Sequence, residues 1–174
     1  FNTEYLPTKM GSKIWEDHYA GNNARVVSQI IDEDCVIYGK TVTAEFAVHH
    51  PGKTRNPHDI TRTPGTSSSG SAAAVSSGLV VASLGTQTAG SLIRPASYCG
   101  IYAFKPTFGW IPRTGVLKTT DTLDQIGFFA KDPKDLACMF ESSKVYGNNH
   151  ILKEKKSSEF ILKNKWNIGL AKTP

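Results

Sequence analysis

Two clusters of hydroxyl-bearing and small residues stand out between Arg62 and Thr107. The first reads Gly65-Thr-Ser-Ser-Ser-Gly-Ser71 and the second Gly85-Thr-Gln-Thr-Ala-Gly-Ser91. Residues of this kind suit nucleophilic catalysis. A serine hydroxyl attacks a carbonyl carbon once a base takes its proton, and a second hydroxyl can relay that proton because it both donates and accepts. Small neighbours let backbone N–H groups come close to the charge that grows on the carbonyl oxygen. Three other uses of such text fit less well. A flexible Ser/Gly linker would not carry the Ala, Val and Leu residues that separate the clusters, nor the aromatics that follow. A phosphate-cradling loop needs a Gly-Lys-Ser/Thr ending or a three-glycine dinucleotide pattern, and Gly70-Ser-Ala-Ala-Ala-Val75 has neither. The Gly-x-Ser-x-Gly elbow of many serine hydrolases is absent, because residues 65–69 read Gly-Thr-Ser-Ser-Ser.

The elements around these clusters alternate in type. Asn22 or Asn23 is placed to cap a helix whose apolar face is Val26, Val27, Ile30 and Ile31. Cys35-Val-Ile-Tyr38, stopped by Gly39, reads as a short strand. Residues 49–66 hold three prolines and two glycines and read as loop. Ser69 to Ser83 has the small side chains of a tightly packed helix, and Val80-Val81 could equally open a strand. Asp132-Pro-Lys-Asp135 is a helix start, with Asp132 as cap, Pro133 where no N–H is needed and Asp135 at the positive helix end. Leu136, Met139 and Phe140 supply that helix's apolar face. Residues 148–165 read as a lysine-rich connector, and Trp166 to Ala171 as the start of another strand. A helix followed by a strand suggests an α/β layer.

Composition narrows the function further. The 174 residues are 39% hydrophobic and 20% charged, which excludes wholesale disorder. No apolar run reaches the length of a membrane span. The net charge is +5, and residues 151–165 alone account for +3 of it. No reading element for nucleic acid accompanies that charge, so no nucleic-acid partner is expected. Cys35, Cys99 and Cys138 match no zinc or redox spacing and are expected to be buried, inert thiols of a cytoplasmic protein. His18, His49, His50 and His58 lack the ligand spacing of a metal site, so no metal and no organic cofactor is implied. Trp15, Trp110 and Trp166 are expected to be packing anchors. Tyr98 and Phe104 fit either the lining of a substrate pocket or the core.

The serine clusters sit among further motifs: Gly39-Lys-Thr41, Glu45-Phe-Ala47, Arg55-Asn-Pro57, Cys99-Gly100, Lys105-Pro-Thr107 and Leu123-Asp-Gln-Ile-Gly127. Together they resemble the amidase signature family, which hydrolyses amides with a Ser–cisSer–Lys triad, and the resemblance implies an α/β fold with a mixed sheet surrounded by helices, incomplete in this chain. The resemblance implies that Ser91 is the nucleophile and that Ser67, 24 residues earlier, is the bridging serine entered by a cis peptide from Thr66. It implies that Ser68 supports the site by hydrogen bonding, and that the N–H groups of Thr88, Ala89, Gly90 and Ser91 form the oxyanion hole. Lys40 and Lys105 fall on family motifs with a structural role. The triad lysine is expected upstream of Phe1, so the 1–174 chain is expected to be a fragment of a single amidase signature domain, nearly inert by itself. Some positions depart from the usual pattern: Thr66 replaces glycine, Gln87 replaces aspartate, Ala89 replaces glycine, and Arg94 stands one place later than the usual arginine.

The activity implied is hydrolysis of a small-molecule carboxylic amide through a Ser91 acyl-enzyme, releasing ammonia or an amine, with a homodimer compatible. Two alternatives stand beside it. One is the A subunit of a glutamyl-tRNA(Gln) amidotransferase, disfavoured by the short loop between Glu45 and Arg55. The other is a catalytically inactive scaffold, disfavoured by the presence of both serines.

Overall fold

A computed structural model describes residues 1–145. Its centre is a three-stranded sheet, and the helices that cover it are α1 (Arg25–Asp32), α2 (Ser69–Ser76), α3 (Ile93–Cys99) and α4 (Pro133–Ser143). The strands are β1 (Ala82–Gln87), β2 (Tyr102–Phe104) and β3 (Gln125–Ala130), in the order β1-β3-β2. Both outer strands run antiparallel to β3. They therefore point the same way, and α3 carries the chain from one to the other past the central strand.

Residues of β3 are buried at every position, which explains why its text, QIGFFA, shows no polar alternation. Successive side chains still point to opposite faces. Ile126, Phe128 and Ala130 join Val26, Val27, Ile111 and Leu136 in one core beneath α1 and α4. Phe129 joins Ala72, Val75, Leu92, Ala96 and Cys99 in a second core beneath α2 and α3. Phe128 and Phe129 are fully enclosed, and each such ring contributes on the order of 2–3 kcal/mol by leaving water. The result is a three-layer α/β fold with a sheet between helices, as the sequence implies.

The helix starting near Asp132 forms as expected. Asp132 accepts a hydrogen bond from Lys134 N–H (2.8 Å), and Pro133 occupies the first turn. Ser69 to Ser76 is buried along its whole length, which only side chains this small permit. The chain then leaves the helix at Gly78 and enters β1.

Several expectations need correction. The cap of α1 is Ala24, with no side-chain hydrogen bond. Asn22 and Asn23 instead turn back to the N-terminal segment, where they accept from Asn2 Nδ2 and Glu4 N–H. Ile31 is exposed while Val26, Val27 and Ile30 are buried. Residues 35–38 form no strand, because none of the described strands pairs with them. Of the three cysteines only Cys99 is buried; Cys35 and Cys138 are exposed. Burial pushes the Cys99 thiol above its ordinary range. The lysine-rich connector, the 166–171 strand and Trp166 lie outside the described residues. Among the described residues no helix is long and apolar enough to cross a membrane.

Candidate active site

Ser91 lies in the bend that joins β1 to α3. Three contacts fix this bend. The first is packing. Gly85 and Gly127 face each other across the β1–β3 ladder. The hollow they leave is filled by the Leu92 side chain, which is fully buried. A methyl group on Gly85 would stand 3.0 Å from one end of Leu92, and one on Gly127 would stand 2.5 Å from the other. The residue after Ser91 is thus plugged into the sheet.

The second contact is a cap. The side-chain oxygen of the buried Gln87 accepts from the N–H groups of Leu92 (2.9 Å) and Ile93 (3.0 Å). Helix starts leave such N–H groups without intrahelical partners, and a side-chain acceptor satisfies them. Gln87 departs from the family pattern, and here it does the work of a short polar cap. The third contact is the Thr88 hydroxyl, which donates to the Asp124 carboxylate at 2.5 Å. With the bend held this way, none of the N–H groups of Thr88, Ala89, Gly90 and Ser91 finds an acceptor among the described residues.

The other serine cluster lies alongside. The Thr66–Ser67 peptide is cis. Ser67 is buried, and its carbonyl accepts from Ala44 N–H at 3.0 Å. Ser68 N–H donates to the Ser91 carbonyl (3.4 Å). The Ser68 hydroxyl accepts from Thr86 N–H and donates to Thr86 carbonyl, each at 3.3 Å, so it ties the cluster to β1. Arg94 donates to the Thr66 hydroxyl at 3.2 Å. Two of the sequence departures, Thr66 and Arg94, therefore meet each other. Residues 66–68 and 88–94 are thus brought together.

Other candidates go elsewhere. The Lys40 amine donates to the Phe1 carbonyl (2.5 Å) and to the hydroxyls of Thr8 (3.0 Å) and Thr3 (3.3 Å). It ties the N-terminal segment to residue 40, and desolvation lowers its pKa to about 8. Among the described residues, Lys105 bonds only to its neighbour's carbonyl. His58 bonds the Cys99 carbonyl and the Ser76 hydroxyl, at 2.9 and 3.2 Å. No cluster among the described residues could hold a metal ion. Phe104 packs edge-on against Phe140 at 5.5 Å, and Trp110 lies 5.7 Å from the same ring, which places both in the packing beneath α4.

Sequence reasoning singled out Gln87 as a departure and the Leu123–Gly127 motif as a marker, without assigning either a task. The structure sets both against the bend. Asp124 is buried. Burial raises its pKa, but the hydrogen bonds from Thr88, Thr120 and Thr119 outweigh that and hold the carboxyl below its usual range. Gln125 donates to the Thr107 carbonyl at 3.2 Å, and its side-chain oxygen has no partner among the described residues.

The buried Ser67 and the half-buried Ser91 lie on adjoining segments, beside N–H groups that no described residue claims, an arrangement suited to acyl transfer on an α/β scaffold. The chain belongs to the amidase family, whose profile matches residues 1–165. It is 44% identical over 146 residues to the A subunit of the glutamyl-tRNA(Gln) amidotransferase of Koribacter versatilis, covering 80% of this chain and 30% of that protein. A crystal structure of the corresponding subunit from Thermotoga maritima superposes with a TM-score of 0.80 at 39% identity, covering 85% of this chain and 34% of that one. A solved structure described as a vestigial protein complex revealing the evolutionary origins of an s-triazine catabolic enzyme superposes with a TM-score of 0.79 at 36% identity, over 84% and 34% of the two chains. The chain thus spans about a third of the length of the relatives it matches.

These relatives correct two expectations. Partners confined to a small-molecule amide, with no nucleic acid, do not stand beside relatives whose names join them to a glutamyl-tRNA enzyme of several subunits. The loop between Glu45 and Arg55 put the amidotransferase reading second, and identities of 39–44% to such subunits reverse that order. One loop length is a weaker discriminator than identity along most of the chain, because loops tolerate insertion and deletion.

Proposed function

We propose that this chain is one portion of a single, longer amidase domain that breaks a carboxylic amide C–N bond through a Ser91 acyl-enzyme. Ser91 Oγ attacks the carbonyl carbon while its proton passes through the Ser67 hydroxyl to a lysine of the triad. The C–N bond then breaks, and ammonia or an amine leaves carrying a proton. The acyl ester passes to water or to another acceptor. The N–H groups of residues 88–91 stabilise the oxyanion, and one such donor is worth about 3 kcal/mol. Ser68 holds the bridging serine's segment against β1. The observation that carries this reading is the docking of residues 66–68 beside a bend whose four N–H groups no described residue claims.

The particular reading best supported is the A subunit of a glutamyl-tRNA(Gln) amidotransferase, which releases ammonia from glutamine in the presence of charged tRNA and a partner subunit. Relatives of that name at 39–44% identity support it. Three free thiols, two of them exposed, fit a reducing compartment, the cytoplasm. The test is ammonia release from glutamine by the full-length protein, with and without charged tRNA and its partner subunit. Release that requires both supports the reading. Release from simple amides by the isolated protein, with no response to tRNA, returns the stand-alone amidase to first place.

A further inference from the structure

Asp124 grips two segments at once. Its Oδ1 accepts from the hydroxyls of Thr88 (2.5 Å) and Thr119 (3.1 Å). Its Oδ2 accepts from the N–H groups of Thr119 (2.5 Å) and Thr120 (2.8 Å) and from the Thr119 hydroxyl (3.2 Å). The carboxylate is buried, and charge-assisted bonds shielded from water are short and strong. Its place follows from register. Gln125 pairs with Gln87, the last residue of β1, so Asp124 stands opposite Thr88, the first residue of the bend. The turn carrying Asp124 is itself braced. Asp124 N–H donates to the Thr120 carbonyl (3.0 Å), and Arg113 donates to the carbonyls of Asp121 (2.7 Å) and Asp124 (3.1 Å).

We propose that Asp124 is a positioning residue for the oxyanion loop, acting through the Thr88 hydroxyl to keep the N–H groups of residues 88–91 aimed at the developing oxyanion. The proposal rests on the reading of Ser91 as nucleophile. Among the described residues the bend has no ladder partner of its own, and from the β3 side the Thr88 hydroxyl ties it down, through its bond to Asp124 and a longer one, 3.3 Å, to the Thr119 hydroxyl. Preorganised donors act because they need no rearrangement as charge appears, and a displacement near 1 Å can cost up to about a hundredfold in rate.

Thr88→Val removes the tie and leaves Asp124 its bonds to Thr119 and Thr120. Thr88→Ser keeps the hydroxyl. Asp124→Asn keeps the shape and removes the charge. Each is made in the full-length protein and treated with a fluorophosphonate probe, in which serine oxygen bonds to phosphorus and fluoride leaves. Saturation separates reversible binding, KI, from the bond-forming rate, kinact. The expected result for Thr88→Val is a kinact about tenfold lower or worse, with KI within about twofold. Asp124→Asn should fall between Thr88→Val and the parent, and Thr88→Ser should restore most of the rate. Equal rates for Thr88→Val and the parent overturn the proposal. So does a loss that Thr88→Ser fails to rescue, or one expressed in KI. Ser91→Ala, run alongside, separates the two levels: if it still labels, the nucleophile assignment has failed, whatever the threonine variants do.

Discussion

Replacing Gln87 by leucine removes one acceptor and strands two N–H groups. They are not equivalent. The Leu92 N–H sits at a fully buried residue, whereas Ile93 is 49% exposed and water can reach its backbone. A buried donor left without a partner costs about 1–3 kcal/mol, and one that water can satisfy costs a few tenths. The expected loss for Gln87→Leu is therefore about 2 kcal/mol, with the buried group supplying most of it. Gln87→Glu presents an oxygen to the same two donors at the positive start of α3 and should lose less than half as much, despite the cost of burying charge. The assay is urea unfolding of the full-length variants followed by near-UV dichroism, compared at equal m-values. Activity should fall with stability in the leucine variant, since the stranded donors adjoin Ser91. A Gln87→Leu protein within about 0.5 kcal/mol of the parent would refute the assignment of Gln87 as the helix cap.

Gly127→Ala drives a methyl group into the Phe104 carbonyl and the Leu92 side chain. Overpacking of this kind costs about 1–3 kcal/mol or more. It should also lower the rate of serine labelling, because Leu92 anchors the residue after Ser91; an alanine variant with parental stability and rate would show that the hollow is not needed. The Asp124 carboxyl is held below its ordinary pKa by bonds that require its charged form. Its stabilisation is accordingly complete above the ordinary carboxylate range and is lost as pH falls below about 4, through the folded value. Acid unfolding of Asp124→Asn should be shallower than that of the parent, and superimposable curves would contradict that. Thiol titration of the native protein should find Cys35 and Cys138 reactive and Cys99 protected until unfolding, with a fast third thiol as the contrary result.

What the sequence revealed depended on how local each signal was. The cap at Asp132, the proline after it and the start of the small-residue helix at Ser69 are decided by neighbouring residues, so they could be read directly; the small side chains suit that helix through to Ser83, but it stops at Ser76 and Ser83 lies in β1. The strand expected at residues 35–38 failed because a strand needs a partner, and pairing is not written in the strand's own text. For the same reason β3, buried on both faces, carried no alternation to mark it. The two serine clusters were legible as hydroxyls beside small residues, and the family resemblance implied the cis peptide at Thr66–Ser67. The supports of the bend were not legible. Asp124 and the Gly85–Gly127 pair reach the bend only through cross-strand register and tertiary contact, and Gln87 caps residues five and six places on, a local bond that its residue type does not announce. Thr66 and Arg94 each departed from the family pattern by itself; only the fold shows that one hydrogen-bonds the other.

The most direct measurement is to treat the full-length protein with a fluorophosphonate, digest it and locate the added mass. Ser91 should carry it, and Ser67→Ala should form the same adduct at least a hundredfold more slowly, the scale of lost proton-transfer help. An adduct on any other residue, or full-speed labelling of Ser91 without the Ser67 hydroxyl, would contradict the acyl-enzyme chemistry proposed for this fold.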